Sequence, residues 1–219
     1  MKKLLLSSFA ITALTLSGCA AVESNRTIET KAVQADYSVP YEQRKKVVVS
    51  NFNNASDYQR GVFSSDKDRL GSQAQDILSS QLQMTNFFRV VNRTDTQAMK
   101  QEAAISGTVQ KLTGADLVIS GSVLEFGRKV TGDKQLFGVL GRGKQQTAYA
   151  KVSLQVTNVK TSEVMMTVQG AGEYELSNRE VLGTGSTAGY DATLNGKVLN
   201  LAITAAVEKL VNHMSRTAL

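Results

Sequence analysis

The 219-residue chain contains one cysteine, one histidine, one proline and no tryptophan. A single thiol closes no internal disulfide, and one histidine with one cysteine falls short of the donors that zinc sites use. A nucleophilic triad would have to recruit His213, close to the C-terminus, or Cys19, close to the N-terminus. The composition therefore points away from hydrolases, and the expectation is a protein that is not an enzyme and carries no metal. Long hydrophobic runs are missing too. The apolar stretch at residues 4–16 is too short for a membrane-spanning helix, which takes about 20 such residues. With 42% hydrophobic and 20% charged residues the chain still has an ordinary globular composition, so wholesale disorder and fibrous repeats are excluded.

What is present is clearest at the N-terminus. Lys2 and Lys3 precede the apolar stretch, which ends in Leu16-Ser17-Gly18-Cys19. Residues 1–18 read as an export signal, and the last four positions resemble the lipobox of bacterial lipoproteins. That resemblance implies cleavage before Cys19, then acylation of its sulfur and its amine, so the only group bound would be covalent lipid. Ala20 stands where an aspartate would mark inner-membrane retention, which implies the periplasmic side of the outer membrane. Several acyl chains, each CH₂ contributing roughly 0.8 kcal/mol when buried, make such anchoring nearly irreversible. Loss of Lys2 and Lys3 lowers the formal charge from +6 to +4. That excess favours solubility and is too small for a nucleic-acid partner.

Residues 19–44 are polar, hold the only proline, Pro40, and read as a tether. The folded body is expected over 45–219. Lys46-Val47-Val48-Val49-Ser50-Asn51-Phe52 has the β-branched character of a buried strand. Leu70, Ala74, Ile77, Leu78 and Leu82 recur at helical spacing, with Ser65-Asp66 as the expected cap. Phe87 to Val91 reads as a second strand, Thr94-Asp95 caps a short helix to about Ala104, and a third strand starts at Asp116. From Ala148 to Val156 and from Val164 to Leu176 apolar residues recur at every second position about a turn at Lys160-Thr161-Ser162, which predicts a long hairpin. A final helix carries Leu199, Ile203, Ala206, Val207, Leu210 and Met214 on one stripe. The expected fold is α+β, sandwich-like with a mixed sheet.

The segments Asn86-Phe87-Phe88-Arg89-Val90-Val91-Asn92-Arg93, Gly114-Ala115-Asp116-Leu117-Val118-Ile119-Ser120-Gly121-Ser122-Val123 and Val152-Ser153-Leu154-Gln155-Val156-Thr157-Asn158-Val159, in that order behind the lipobox, resemble the curli production assembly/transport (CsgG) family and its holdfast-anchor relatives. The resemblance implies a periplasmic domain in a homo-oligomeric ring, nonameric in that family. Two hairpins per protomer would join into one transmembrane β-barrel that exports secreted protein subunits, with periplasmic accessory proteins as further partners. An open sheet edge cannot sit in lipid, and strands pooled around a ring remove that edge. The hairpins map to about 125–153, with a tip near Leu136 to Gly141, and about 166–193, with a turn near Ser177-Asn178-Arg179-Glu180. The loop over residues 53–66 corresponds to the family's pore constriction and offers Tyr58 and Phe63 as its aromatics. Glu173 and Glu175 share one strand face and are candidates for a charged lumen, or else for a solvated face.

Two other features have plainer readings. Gly138-Val139-Leu140-Gly141-Arg142-Gly143-Lys144 has phosphate-loop spacing, but Gln145 stands where magnesium takes a serine or threonine; a hairpin tip is the better account. His213 has no second histidine to work with. Two functions stay open: a ring-forming export pore, or a non-pore envelope lipoprotein that anchors or regulates through protein contacts.

Overall fold

The computed structural model describes residue 33 and residues 39–58, 68–134, 142–179 and 193–217, with backbone only at 130–134, 142–146 and 176–179. After a 3-10 turn at Tyr41–Gln43 the elements are β1 (Lys45–Asn54), α1 (Arg69–Met84), β2 (Phe88–Val90), α2 (Thr96–Ile105), β3 (Leu117–Lys134), β4 (Arg142–Asn158), β5 (Val164–Arg179) and α3 (Leu194–Thr217). The strands form one sheet in the order β2-β1-β3-β4-β5. β1 is parallel to β2 and β3, and β3, β4 and β5 are successively antiparallel. This is the expected mixed sheet: helical crossovers return the first three strands in parallel, and the short turn after Asn158 forces an antiparallel pair. Ser162 takes the left-handed conformation there, with φ of 60°.

Asp116 locks the parallel half. Its carboxylate accepts the Lys46 N–H at 2.9 Å, and its own N–H donates to the Lys46 carbonyl at 2.7 Å. At the start of α1 the structure corrects the expected cap. Asp68, not Ser65 or Asp66, is the N-cap: one carboxylate oxygen accepts Gly71 N–H at 2.7 Å and the other accepts Asn54 N–H at 2.6 Å. Serving both a helix start and a strand end, Asp68 fixes the approach of α1 to β1. Leu70, Ala74, Leu78 and Leu82 are buried beneath α1, as their spacing requires, whereas α2 buries no residue.

α3 completes the core. Its stripe is buried in full, against α1 on one side and the inner face of β4 and β5 on the other. The inner face presents Ala148, Ala150, Val152, Leu154 and Val156, again at every second position. Val33 also enters this core: its N–H donates to the Gln81 side-chain oxygen at 3.1 Å, and the Gln81 amide donates to Asn200 at 2.8 Å. The buried Gln81 thus joins the N-terminal segment, α1 and α3 in one hydrogen-bonded chain.

The contact between α3 and β5 depends on glycine. A Cβ on Gly170 would overlap the Ala202 carbonyl and come within 2.9 Å of the Ala206 methyl, and one on Gly172 would lie 2.7 Å from the Leu201 Cβ. Helix backbone meets strand backbone there without intervening side chains. Gly170→Ala is therefore expected to destabilise the folded body by about 1–3 kcal/mol, the usual cost of overpacking. Ala171→Val, one residue along on the exposed face, should change stability by less than about 0.5 kcal/mol. Urea unfolding of the two variants checks the pair.

Candidate functional site

β3, β4 and β5 are far longer than β2, and their pairing runs without a break in strand order. β3 and β4 pair from Leu117 opposite Asn158 to Lys134 opposite Arg142, with one bulge between Val123 and Glu125. β4 and β5 pair onward to Gly143 opposite Arg179. α3 covers only part of this length. Its Lys197 ammonium lies 5.3 Å from the ring of Tyr174, and the strand residues beyond that level extend past the start of the helix. The candidate hairpin over 125–153 thus corresponds to a paired ladder whose tip, residues 135–141, lies outside the described residues. The second candidate, 166–193, needs a correction: Ser177, Asn178 and Arg179 form no turn but continue β5 opposite Gln145, Lys144 and Gly143. Unbroken partners on β4 keep the strand extended there. Residues 180–192, with Glu180, lie outside the described residues.

Glu173 and Glu175 are exposed on the face of β5 turned away from α3, while Gly172 and Tyr174 between them face the helix. Register fixes their neighbours. Glu173 stands opposite Tyr149, whose ring covers Gly127 so closely that a Cβ there would overlap it. Glu175 stands opposite Thr147, which is itself opposite Lys129. Nearby, Lys151 bonds Glu125 at 3.2 Å. On this outer face neither glutamate has a cation directly opposite it on β4. Sequence periodicity identified the face of the glutamates but not Tyr149 beside them, because a lone aromatic in an alternating strand carries no sign of its cross-strand partner.

Tyr58 sits on the core side. Its ring packs on Phe126 with centroids 4.5 Å apart, its hydroxyl accepts a hydrogen bond from Asn195 Nδ2 at 3.2 Å, and its carbonyl accepts one from Asn54 Nδ2 at 2.9 Å. These contacts tie the end of β1, β3 and the start of α3 together. Cys19 and Phe63 lie outside the described residues. Lys144 and Gln145 are strand residues of β4, where a phosphate loop would start a helix. His213 is exposed on α3. Among the described residues no three His, Cys, Asp or Glu side chains come together as metal ligands, and no helix is long and apolar enough to cross a membrane.

The fold defines the class: an α+β domain with its helices α1 and α3 on one face of a mixed sheet, whose antiparallel strands outrun the helical layer. The chain belongs to the family described as curli production assembly/transport component CsgG, whose model matches residues 29–219. It is 55% identical over 210 residues, 95% of this chain and 93% of the relative, to "Putative lipoprotein NMB1126/NMB1164" of Neisseria meningitidis serogroup B. Among solved structures it is similar to the PelC dodecamer of Paraburkholderia phytofirmans, with 15% identity, 80% and 93% of the two chains covered and a TM-score of 0.37. It is also similar to lipoprotein GNA1162 of Neisseria meningitidis, with 12% identity, 78% and 99% covered and a TM-score of 0.34.

The contacts of Tyr58 give a graded expectation. Tyr58→Phe loses one hydrogen bond and should cost about 0.5–1.5 kcal/mol, while Tyr58→Ala also removes the ring contact with Phe126 and should cost more. Thermal unfolding of the two variants measures both steps; equal losses would show that the ring contributes nothing to the body.

Proposed function

We propose that this chain is an outer-membrane lipoprotein, anchored through lipid on Cys19, that assembles into a homo-oligomeric ring and forms an export channel for extracellular protein subunits. In this reading residues 1–18 are removed, 19–44 tether the lipid to the body, and the body over 45–219 stands on the periplasmic side. The observation that carries it is the continuous β3–β4–β5 ladder reaching past α3, in a chain that belongs to the curli assembly/transport family. Three adjacent strands, already paired, supply a barrel segment whose outer edges neighbours would complete. A membrane strand takes about 9 to 11 residues. The described extension beyond Tyr174 is shorter than that, so the span also draws on residues 135–141 and 180–192.

Glu173 and Glu175 would then face the lumen, the side away from α3. Tyr58, held on Phe126, forms the rigid base of the constriction loop that also carries Phe63. A second reading, an envelope lipoprotein that anchors or regulates by contact without a pore, draws support from the same Tyr58, since an aromatic packed on the body is a structural support as much as a constriction.

Electron microscopy of detergent-extracted protein separates the two readings. Rings with a membrane-height barrel support the channel, and discrete monomers sink it. In planar bilayers, Glu173→Lys with Glu175→Lys should shift ion selectivity toward anions at unchanged ring size; unaltered selectivity removes both residues from the lumen. Cys19→Ser should abolish acylation, so that a fatty-acid label incorporated by the native chain is lost from the variant.

A further inference from the structure

Among the described residues the sheet has an uncovered edge at its parallel end. β2 pairs with only Lys45, Lys46 and Val47 of β1, so residues 48–51 face no strand on that side among the described residues. A bulge between Val49 and Phe52 also interrupts the pairing with β3. The edge floors a groove of about 720 Å³, with Val48, Val91 and Val118 among its apolar residues and Asp76 and Asp95 at its walls. Among the described residues Arg93 is the one cation lining it, and its guanidinium donates to the Asn92 and Thr113 carbonyls.

The same chain displays an apolar segment that the described residues leave uncovered. Ile105, Val109 and Leu112 are 72%, 86% and 57% exposed. This is no loose tail: Thr108 N–H donates to the Ala103 carbonyl at 2.9 Å, and Thr113 is held by Arg93. Three exposed apolar side chains within eight residues of a tethered segment mark a contact surface. Lys111 makes the segment positive, opposite in sign to the carboxylates of the groove, while Lys100 and Glu102 on α2 cancel.

We infer that residues 105–112 of one copy dock in the β1-edge groove of a second copy. The apolar side chains would lie on Val48, Val91 and Val118, Lys111 would face Asp76 and Asp95, and the stretch 108–112 would run along the open edge of β1. This rests on the proposed assembly of copies and names the surfaces that make it. Because it joins two different patches, the contact repeats head to tail, and it makes a ring where the rotation closes.

The test uses full-length, lipidated protein in detergent. Val109→Cys and Ser79→Cys chains are prepared separately, mixed and oxidised. A disulfide-linked dimer that forms in the mixture, and a ladder of higher species from the double variant, supports the contact. Val109→Asp should raise the concentration for half-assembly about tenfold or more. No cross-link beyond that of a control pair, Val109→Cys with Lys160→Cys, overturns it. If the uncross-linked protein remains oligomeric by native mass in that case, the groove is wrong and assembly stands; if it is monomeric, both fail. Cross-linked dimers and short open chains without closed rings keep the contact and remove the ring.

Discussion

The approach of α3 to β5 is the constraint on which the rest of the body depends. Gly170 and Gly172 let two backbones meet, and Lys209 then reaches the Gln169 carbonyl at 2.8 Å while Lys197 lies by Tyr174. With α3 held there, its opposite side covers α1, and Gln81 on α1 reaches both Asn200 and Val33. Removal of either glycine would separate helix from sheet by the width of a side chain. The inner face of β4, which is built of alanine and aliphatic residues, would then be under-packed along its length.

The sheet divides by topology into two halves with different duties. The parallel half, β2-β1-β3, is fastened by short polar links: Asp116 to Lys46, Asp68 to Asn54, and Val91 N–H to the Val47 carbonyl at 2.8 Å. The antiparallel half needs no crossover, so its strands can lengthen together while each added residue pair is bonded to the next strand. Lengthening is therefore a change that leaves the core under α1 and α3 untouched, and this is how one domain carries both a compact body and an extended ladder.

Much of this was legible from periodicity. The run at β1, the stripes of α1 and α3, and the alternation of β4 and β5 were readable because each buries one face at a fixed period. Ser177 to Arg179 were misread as a turn because serine and asparagine carry turn propensity, and only the facing residues Gly143 to Gln145 show that pairing overrides it. The cap at Asp68 was misplaced for a related reason: several acidic and hydroxyl residues precede the helix, and the choice among them is made by Asn54, a distant partner. The role of the β5 glycines is not readable from the strand. At Gly170 and Gly172 the answer lies in α3, which a reading of the strand alone does not contain.

Edges set what such a sheet must do next. Among the described residues β5 pairs on one side only, over 16 residues, and β1 is open above Val47. A long unpaired edge invites another strand, and proteins blunt it or use it. The two edges here differ in kind. That of β1 is short, bulged and set in a groove with apolar and acidic walls, which suits one specific segment. That of β5 is long, with exposed Glu173 and Glu175 alternating with residues held by α3, which suits continued pairing. A chain that joins copies through its β1 edge keeps its β5 edge free for that pairing, so the contact between bodies and the closure of strands place no competing demand on the same backbone groups.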